Sequence, residues 1–439
     1  MTYLNATKYI RSSPEDLNEA VAGARIKKLW ERLGNPERKL RFLRLAGSNG
    51  KTVCAEMLLS VFKCSEHTAG CFITPLRPEI RDNIIINGSP LAFDEFASYV
   101  EQVYRTVTDI NKEIASHNAS LKALDVTETE SMPEPIPETV LTGHEILLTA
   151  ALLAFCDKHC NICFIESDHN HSDPTRFLPS PFAAAICGTI PSGDKREIHK
   201  IKAYLCHGIQ EIISAPQDIG AHNVILATCA MINARFTPPD KSKLTVGKTT
   251  LFGTEFSYYQ KPYRLSLCGK FQVTNAIVVI EILKMLSERQ GYALTDDQIR
   301  KGLLLTKIPA RFEILSVSPT IIADSTHSEI AIGIVCDSMA DFRPTIGSRV
   351  RLCLPQGPLV EQYIDALAKR DYEIERIITL SDDLNAPQNS EPTVIACKKL
   401  REAVKQCLLD LDGNKILLIS GHAKFTSEIR YEILKTLGF

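Results

Sequence analysis

The sequence has no excess of charge of either sign. Fifty basic residues stand against 52 acidic ones in 439, a formal net charge of -2, so there is no long-range field to draw in nucleic acid or anionic lipid. Long apolar runs are missing too. The opening MTYLNATKYIRSSPEDL has no unbroken hydrophobic stretch of the kind a secretory leader needs, and no later run approaches the roughly 20 apolar residues of a membrane span. These absences lead us to expect a cytoplasmic protein, monomeric, with small molecules rather than nucleic acid or membrane as partners. No solenoid-type repeat and no low-complexity tract is visible. There are fourteen cysteines, but none of the paired CxxC hooks of a zinc module. The densest cluster, FCDKHCNICF, holds Cys156, His159, Cys160 and Cys163. Cys156 and Cys160 close an apolar helical pattern and Cys163 begins an apolar strand, which predicts reduced, buried thiols rather than metal ligands.

What is present is an ordinary globular composition, 44% hydrophobic and 23% charged, long enough for two or three domains. Up to about residue 310, strand candidates (KLRFLRLAG, NICFIES, FAAAICGT, NVILATCAM) alternate with helical runs (TVCAEMLLSVF, FDEFASYVEQVYRTV, HEILLTAALLAFC). Such alternation predicts an α/β fold with a mostly parallel sheet covered by helices on both faces. TETESMPEPIPETV, with three prolines and four glutamates, reads as an exposed loop. Thr237 to Tyr263 is rich in Thr, aromatic and turn residues and predicts an antiparallel hairpin excursion rather than another helix. A helix resumes at VTNAIVVIEILKMLSE. After IPARFEIL, the strands PTIIADS, RVRLCLP, RIITL and KILLISG mark a second, smaller α/β domain. The predicted division is residues 1–309 and 310–439.

The chemistry begins at LAGSNGKTVCAEML. Gly47 and Gly50 flank Ser48 and Asn49, and Lys51 and Thr52 follow at the expected start of a helix. In a strand-loop-helix setting, successive N–H groups and the helix N-terminus point at an anion, the lysine adds a mobile charge, and the threonine hydroxyl can face magnesium. The spacing GxxGKT is two residues shorter than the common GxxxxGKT form. The loop therefore names phosphate as a ligand and no reaction.

The surrounding blocks supply one. ARIKKLWERLGNPERKLRFLRLAGSNGKT resembles the start of the folylpolyglutamate synthase / dihydrofolate synthase family, a branch of the Mur ligases, and five further blocks resemble that family in order. FITPLRPEIRDNIIINGSPLAFDEF places Thr74 where the family has a serine hydroxyl on magnesium. TGHEILLTAALLAFCDKHCNICFIES places Glu166 at the metal-binding glutamate, at a strand end where α/β sheets hold ligands. KIKAYLCHGIQEIISAPQ puts Lys202 at a lysine that is commonly carbamylated and so becomes a metal ligand. CGKFQVTNAIVVIEILKML matches Gln272 and Asn275 to nucleotide-side residues. In KIPARFEILSVSPTIIADSTHSEIAI, Arg311 and Asp324 match residues that reach nucleotide across the domain cleft, and His327 a histidine near the phosphates. The resemblance implies a P-loop domain followed by a Mur-ligase-type carboxy-terminal domain. It also implies ATP and magnesium as cofactors, Lys51, Lys202 and His327 as catalytic residues, and Thr52, Thr74, Glu166 and Lys202 as metal ligands. The implied reaction phosphorylates a pteroate or folate carboxylate and joins glutamate to it, in folate biosynthesis.

Three departures stand against the pattern. The glycine-rich loop after the family's glutamate is here SDHNHSDPTR, with only Asp173 and Thr175 in rough register, so the substrate wall differs. FAAAICGTIPSGDKREIHKIK is too short to offer the histidine that completes the family's magnesium site; Asp168, His169 or His171 are the available substitutes. GKGS has become Lys51-Thr52-Val53, and DGAHN has become DSTHS. Two competing readings follow: a Mur-type amide ligase for another acid and amine, and a ligase-like nucleotide-binding protein without catalysis.

Overall fold

The computed structural model describes residues 1–15, 19–47, 49–122, 136–167, 173–190, 195–205, 208–326, 328–380 and 392–438. They form two compact units: Met1–Pro239 with Val278–Gln298, and Asp240–Ile277 with Ile299–Phe439.

The first unit is built on an eight-stranded sheet. Its strands are Phe42–Ala46 (β1), Ala69–Phe72 (β2), Ile84–Ile86 (β3), Ser89–Pro90 (β4), Ile162–Glu166 (β5), Ala183–Ile186 (β6), Glu211–Ser214 (β7) and Arg235–Thr237 (β8). The order is β4-β3-β2-β5-β1-β6-β7-β8. The six strands from β2 to β8 in that order run parallel; β3 and β4 add an antiparallel edge. FLRLA, ICFIE and AAAI are buried throughout, as strands covered on both faces must be. The helices before β6 are Tyr3–Ser12 (α1), Glu19–Arg32 (α2), Lys51–Phe62 (α3), Phe93–Lys122 (α4) and Gly143–Asp157 (α5); Lys195–Tyr204 (α6) and Ile219–Ile232 (α7) follow it.

Helix α5 is apolar on all sides, and twelve of its fifteen residues are buried. Thr142 caps it in a reciprocal box with Glu145. Glu145 also takes Arg25 of α2 at 2.8 Å, and the Trp30 indole N–H donates to Thr149 Oγ1 at 3.0 Å. Two polar contacts inside a hydrophobic layer thus set how α2 lies on α5.

The expected strand NVILATCAM is helical and lies inside α7. A short apolar run with β-branched residues is ambiguous between strand and buried helix. Here the Asp218 side chain caps Ala221 N–H at 2.8 Å, Asn233 closes the helix in the left-handed region, and Ala221, Ile225 and Cys229 share its buried face. The neighbouring strands β7 and β8, of four and three residues, were not among the expected ones. Of TETESMPEPIPETV, residues 127–135 lie outside the described ones, and 136–140 have no regular structure.

In the second unit, Leu244–Thr250 (β9), Gly253–Tyr258 (β10) and Lys261–Leu265 (β11) make the expected antiparallel excursion, as a three-stranded sheet. Phe271–Arg289 (α8) passes from the second unit to the first at Ile277, and Asp296–Leu305 (α9) returns. The carboxy-terminal sheet comprises Glu313–Val317 (β12), Thr320–Asp324 (β13), Arg349–Pro355 (β14), Glu373–Leu380 (β15), Thr393–Cys397 (β16) and Lys415–Ser420 (β17), ordered β12-β13-β17-β14-β15-β16. Its helices are Glu329–Ile346 (α10), Leu359–Ala368 (α11), Leu400–Leu408 (α12) and Ala423–Leu437 (α13). Residues 240–277 precede the expected boundary at 310 yet group with this unit, because Leu251 and Cys268 pack in one core with Phe312 and Ile322.

Candidate functional site

In the first unit the site grows from the centre of the sheet, where β1 is flanked by β5 and β6. Gly47 leaves β1 with φ +118°, and a Cβ there would lie 2.1 Å from the Cys187 carbonyl oxygen at the end of β6. At Gly188 (φ +73°) a Cβ would lie 2.7 Å from the Asn49 carbonyl oxygen. Only glycine permits this approach of the two loops. Gly50, at φ +81°, is the N-cap residue of α3, and Lys51 and Thr52 are its first residues. The helix thus presents its open N–H groups at the strand ends, as an anion site requires. Ser48 lies outside the described residues.

Glu166 ends the adjacent β5 and is wholly buried. Its Oε2 accepts from the Thr52 hydroxyl and the Thr74 backbone N–H, both at 3.4 Å, long for hydrogen bonds. Among the described residues its Oε1 has no partner, and neither has the buried Thr74 hydroxyl. Burial pushes the Glu166 carboxyl up to about 7; Lys51 first and then Arg77, followed by Thr52 and Thr74, pull in the other direction. Buried polar atoms are almost always satisfied, so two orphans side by side mark a place built for something else. Thr52, Thr74 and Glu166 present oxygen donors only, the set that suits a hard divalent cation such as magnesium.

The loop that carries Thr74 is fixed by Asn83. This fully buried side chain donates to the Ile73 and Pro75 carbonyls at 2.6 and 2.8 Å and accepts the Arg77 N–H at 2.9 Å. The rewritten segment after Glu166 is pinned at its two ends. Ser167 and Thr175 share a hydroxyl hydrogen bond of 2.8 Å, and Asp173 Oδ1 accepts the Thr175 N–H at 2.9 Å. Asp168, His169 and His171 lie outside the described residues.

Lys202 is on α6, exposed, with its stem beside Ile198, Leu205, Val224 and Ile225. Among the described residues no hydrogen bond or ion pair joins it to Glu166, Thr52 or Thr74. Nor do three His, Cys, Asp or Glu side chains among the described residues converge as a metal-binding group. Cys160 and Cys163 are buried and Cys156 half-buried, all as free thiols.

The second unit holds the remaining candidates. Gln272 is buried in the first turn of α8; its Oε1 accepts from Asn275 at 3.1 Å while its Nε2 has no partner among the described residues. Arg311 stands between Ala310 and Phe312, both at positive φ (53° and 50°), a strained arrangement for non-glycine residues. Two carboxylates hold that turn. Glu313 accepts the Ala310 N–H at 2.8 Å and is clamped by Arg430 through two bonds, and Asp324 Oδ2 accepts the Phe312 N–H at 2.7 Å. Asp324 Oδ1 has no hydrogen-bond partner among the described residues, and burial raises its carboxyl against the pull of Thr326 and Arg311. His327 lies outside the described residues.

Sequence reasoning missed Asn83 and Gly188. A glycine closing the apolar run AAAICG was the available signal for the second; nothing local marked the first.

No family model matches the chain. It is 24% identical over 437 residues to a dihydrofolate synthase/folylpolyglutamate synthase of Bacillus subtilis, covering 92% of this chain and 93% of that protein. It is 23% identical to a folylpolyglutamate synthase of Lacticaseibacillus casei, over 75% of this chain and 74% of that one. The apo structure of the L. casei enzyme superposes with a TM-score of 0.78 at 19% identity, covering both chains fully. A Mycobacterium tuberculosis folylpolyglutamate synthase, solved with ADP and AMPPCP, gives 0.74 at 18%, over 98% of each chain. The two-domain α/β fold is therefore shared with these ligases. Among the described residues, no helix is long and apolar enough to cross a membrane.

Proposed function

We propose that the chain is a divergent member of the folylpolyglutamate synthase / dihydrofolate synthase family of Mur-type ligases and that it joins glutamate to dihydropteroate or a folate at the expense of ATP. The observation that carries this reading is the pair of orphaned oxygens, Glu166 Oε1 and Thr74 Oγ1, beside a glycine loop and an open helix N-terminus. A further structure of this fold, a complex with AMPPCP and folate, supports both ligand classes.

In this reading the backbone of the Gly47–Gly50 loop and Lys51 would hold the ATP phosphates, while Thr52, Thr74 and Glu166 would hold magnesium. The cation, when bound, would neutralise charge on the phosphoryl group. A carboxylate oxygen of the acid attacks the terminal phosphorus, the bond to the bridging oxygen breaks, and ADP leaves. The glutamate amine then attacks the acyl carbon and loses a proton, and inorganic phosphate departs as the amide forms. The protein supplies no nucleophile; its part is positioning and charge. We assign Gln272, Asn275, Arg311 and Asp324 to nucleotide, and Lys202 and His327 to the reacting groups, on resemblance alone. A Mur-type ligase for a different acid and amine is the second reading, carried by the altered Ser167–Arg176 segment.

The test is phosphate release from ATP by the purified protein. The first reading requires release that depends on both glutamate and a pteroate or folate. Release only with other acid and amine pairs would favour the second, and ATP binding without turnover over a broad screen would remove the ligase.

A further inference from the structure

Across the first sheet, the strand order β1-β5-β2 sets three loops in a row: the glycine loop, then Glu166, then Thr74 to Arg77. Arg77 is thus on the far side of Glu166 from the glycine loop. Its backbone N–H is tied to the buried Asn83, so the base of the side chain is fixed. Its guanidinium reaches Glu56 Oε1 at 3.5 Å. Glu56 lies on α3 one helical turn after Thr52, on the same face, and Thr52 in turn touches Glu166.

That single long contact is the only side-chain hydrogen bond of Arg77 among the described residues; the Asp82 carboxyl feels its charge without bonding to it. The Glu56 contact is far from the two short parallel bonds an arginine makes with a carboxylate it is built to hold; Arg430 makes such a pair with Glu313 at 2.6 and 2.7 Å. Nearby Arg81 is committed elsewhere, donating to the Leu91 carbonyl and lying over the Phe93 ring. Arg77 keeps most of its donors available and is about a quarter exposed, at 28%. Its charge is also felt at Glu166, second only to that of Lys51 among the neighbouring charges.

We propose that Arg77 binds the phosphoryl group during its transfer, contributing a fixed positive charge opposite Lys51. This rests on the ligase reading above. The site then holds the terminal phosphoryl group between two cationic side chains, with Glu166 and the threonine hydroxyls between them. No bond to Arg77 forms or breaks; it donates N–H groups to non-bridging oxygens of ATP and then of the acyl phosphate.

Calorimetry with the full chain and magnesium, comparing AMPPCP with ADP, tests this. Arg77→Gln should weaken AMPPCP roughly tenfold to a hundredfold, the range for a hydrogen bond to a charged group, and ADP less than about threefold. Glu56→Gln should leave AMPPCP affinity unchanged or tighter, because it releases the guanidinium. Equal loss of both nucleotides in Arg77→Gln, no loss of either, or a loss in Glu56→Gln as large as in Arg77→Gln would overturn the assignment, leaving the ion pair as a loop anchor. An unmodified protein that binds neither nucleotide would overturn the ligase reading itself, and this role with it.

Discussion

Replacing Glu166 by glutamine should stabilise the ligand-free protein at neutral and alkaline pH while destroying its activity. The buried carboxyl is pushed up from an ordinary 4.5 to about 7. In the unfolded chain it ionises near 4.5, so between these values the folded state holds a proton that the unfolded state has lost. The stability from this group is therefore fully present below about pH 4.5 and is lost as pH rises through 7. At about 1.4 kcal/mol per unit, the loss over the whole window is about 3 kcal/mol, and roughly 2 to 3 kcal/mol of it falls between pH 5 and pH 8. Glutamine keeps the shape of the protonated acid and cannot ionise. Denaturant unfolding of both proteins at pH 5 and pH 8, without nucleotide or divalent cation, isolates the effect as a difference of differences. Equal pH dependence in the two proteins would refute the reasoning, because Glu166 would then ionise as easily folded as unfolded. A site residue whose removal stabilises the fold is the signature of function maintained against stability.

Lys51→Ala should abolish ATP binding by calorimetry with little change in unfolding midpoint; unchanged affinity would defeat the loop assignment. Gly47→Ala places a Cβ 2.1 Å from the Cys187 carbonyl at φ +118°, so it should cost at least about 2 kcal/mol and weaken nucleotide binding together with stability. An unaltered thermal midpoint would show that the two loops are not in register as described.

The strands that make the site were legible because they are buried on both faces. FLRLA, ICFIE and AAAI leave no polar alternation to confuse the reading, and a capped, predominantly apolar α5 could be nothing but core. Helix α7 was misread for the same reason turned round: NVILATCAM is apolar enough to be a buried strand, and the Asp218 cap that decides the matter lies five residues upstream. The loop and Glu166 were visible as a motif and as a strand-end acid. Their orphaned oxygens were not, since satisfaction of a buried atom depends on what the fold brings beside it. Arg77 shows the limit most clearly. It sits in TPLRPE as one more surface arginine, and only the strand order and the poor fit of Glu56 as its partner give it a task. Grouping residues 240–277 with the carboxy-terminal sheet likewise depends on Leu251 and Cys268 packing against residues far along the chain, which no local pattern records.

The central claim is that a carboxylate is activated by phosphoryl transfer and then joined to an amine. It is tested most directly by running the phosphate-release assay with a pteroate or folate carrying heavy oxygen in the reacting carboxylate. The account requires one labelled oxygen in the released phosphate for each glutamyl residue added to the product, both read by mass spectrometry. Product formed with unlabelled phosphate would contradict the acyl phosphate route, and labelled phosphate without a glutamyl product would contradict the assignment of glutamate as the amine.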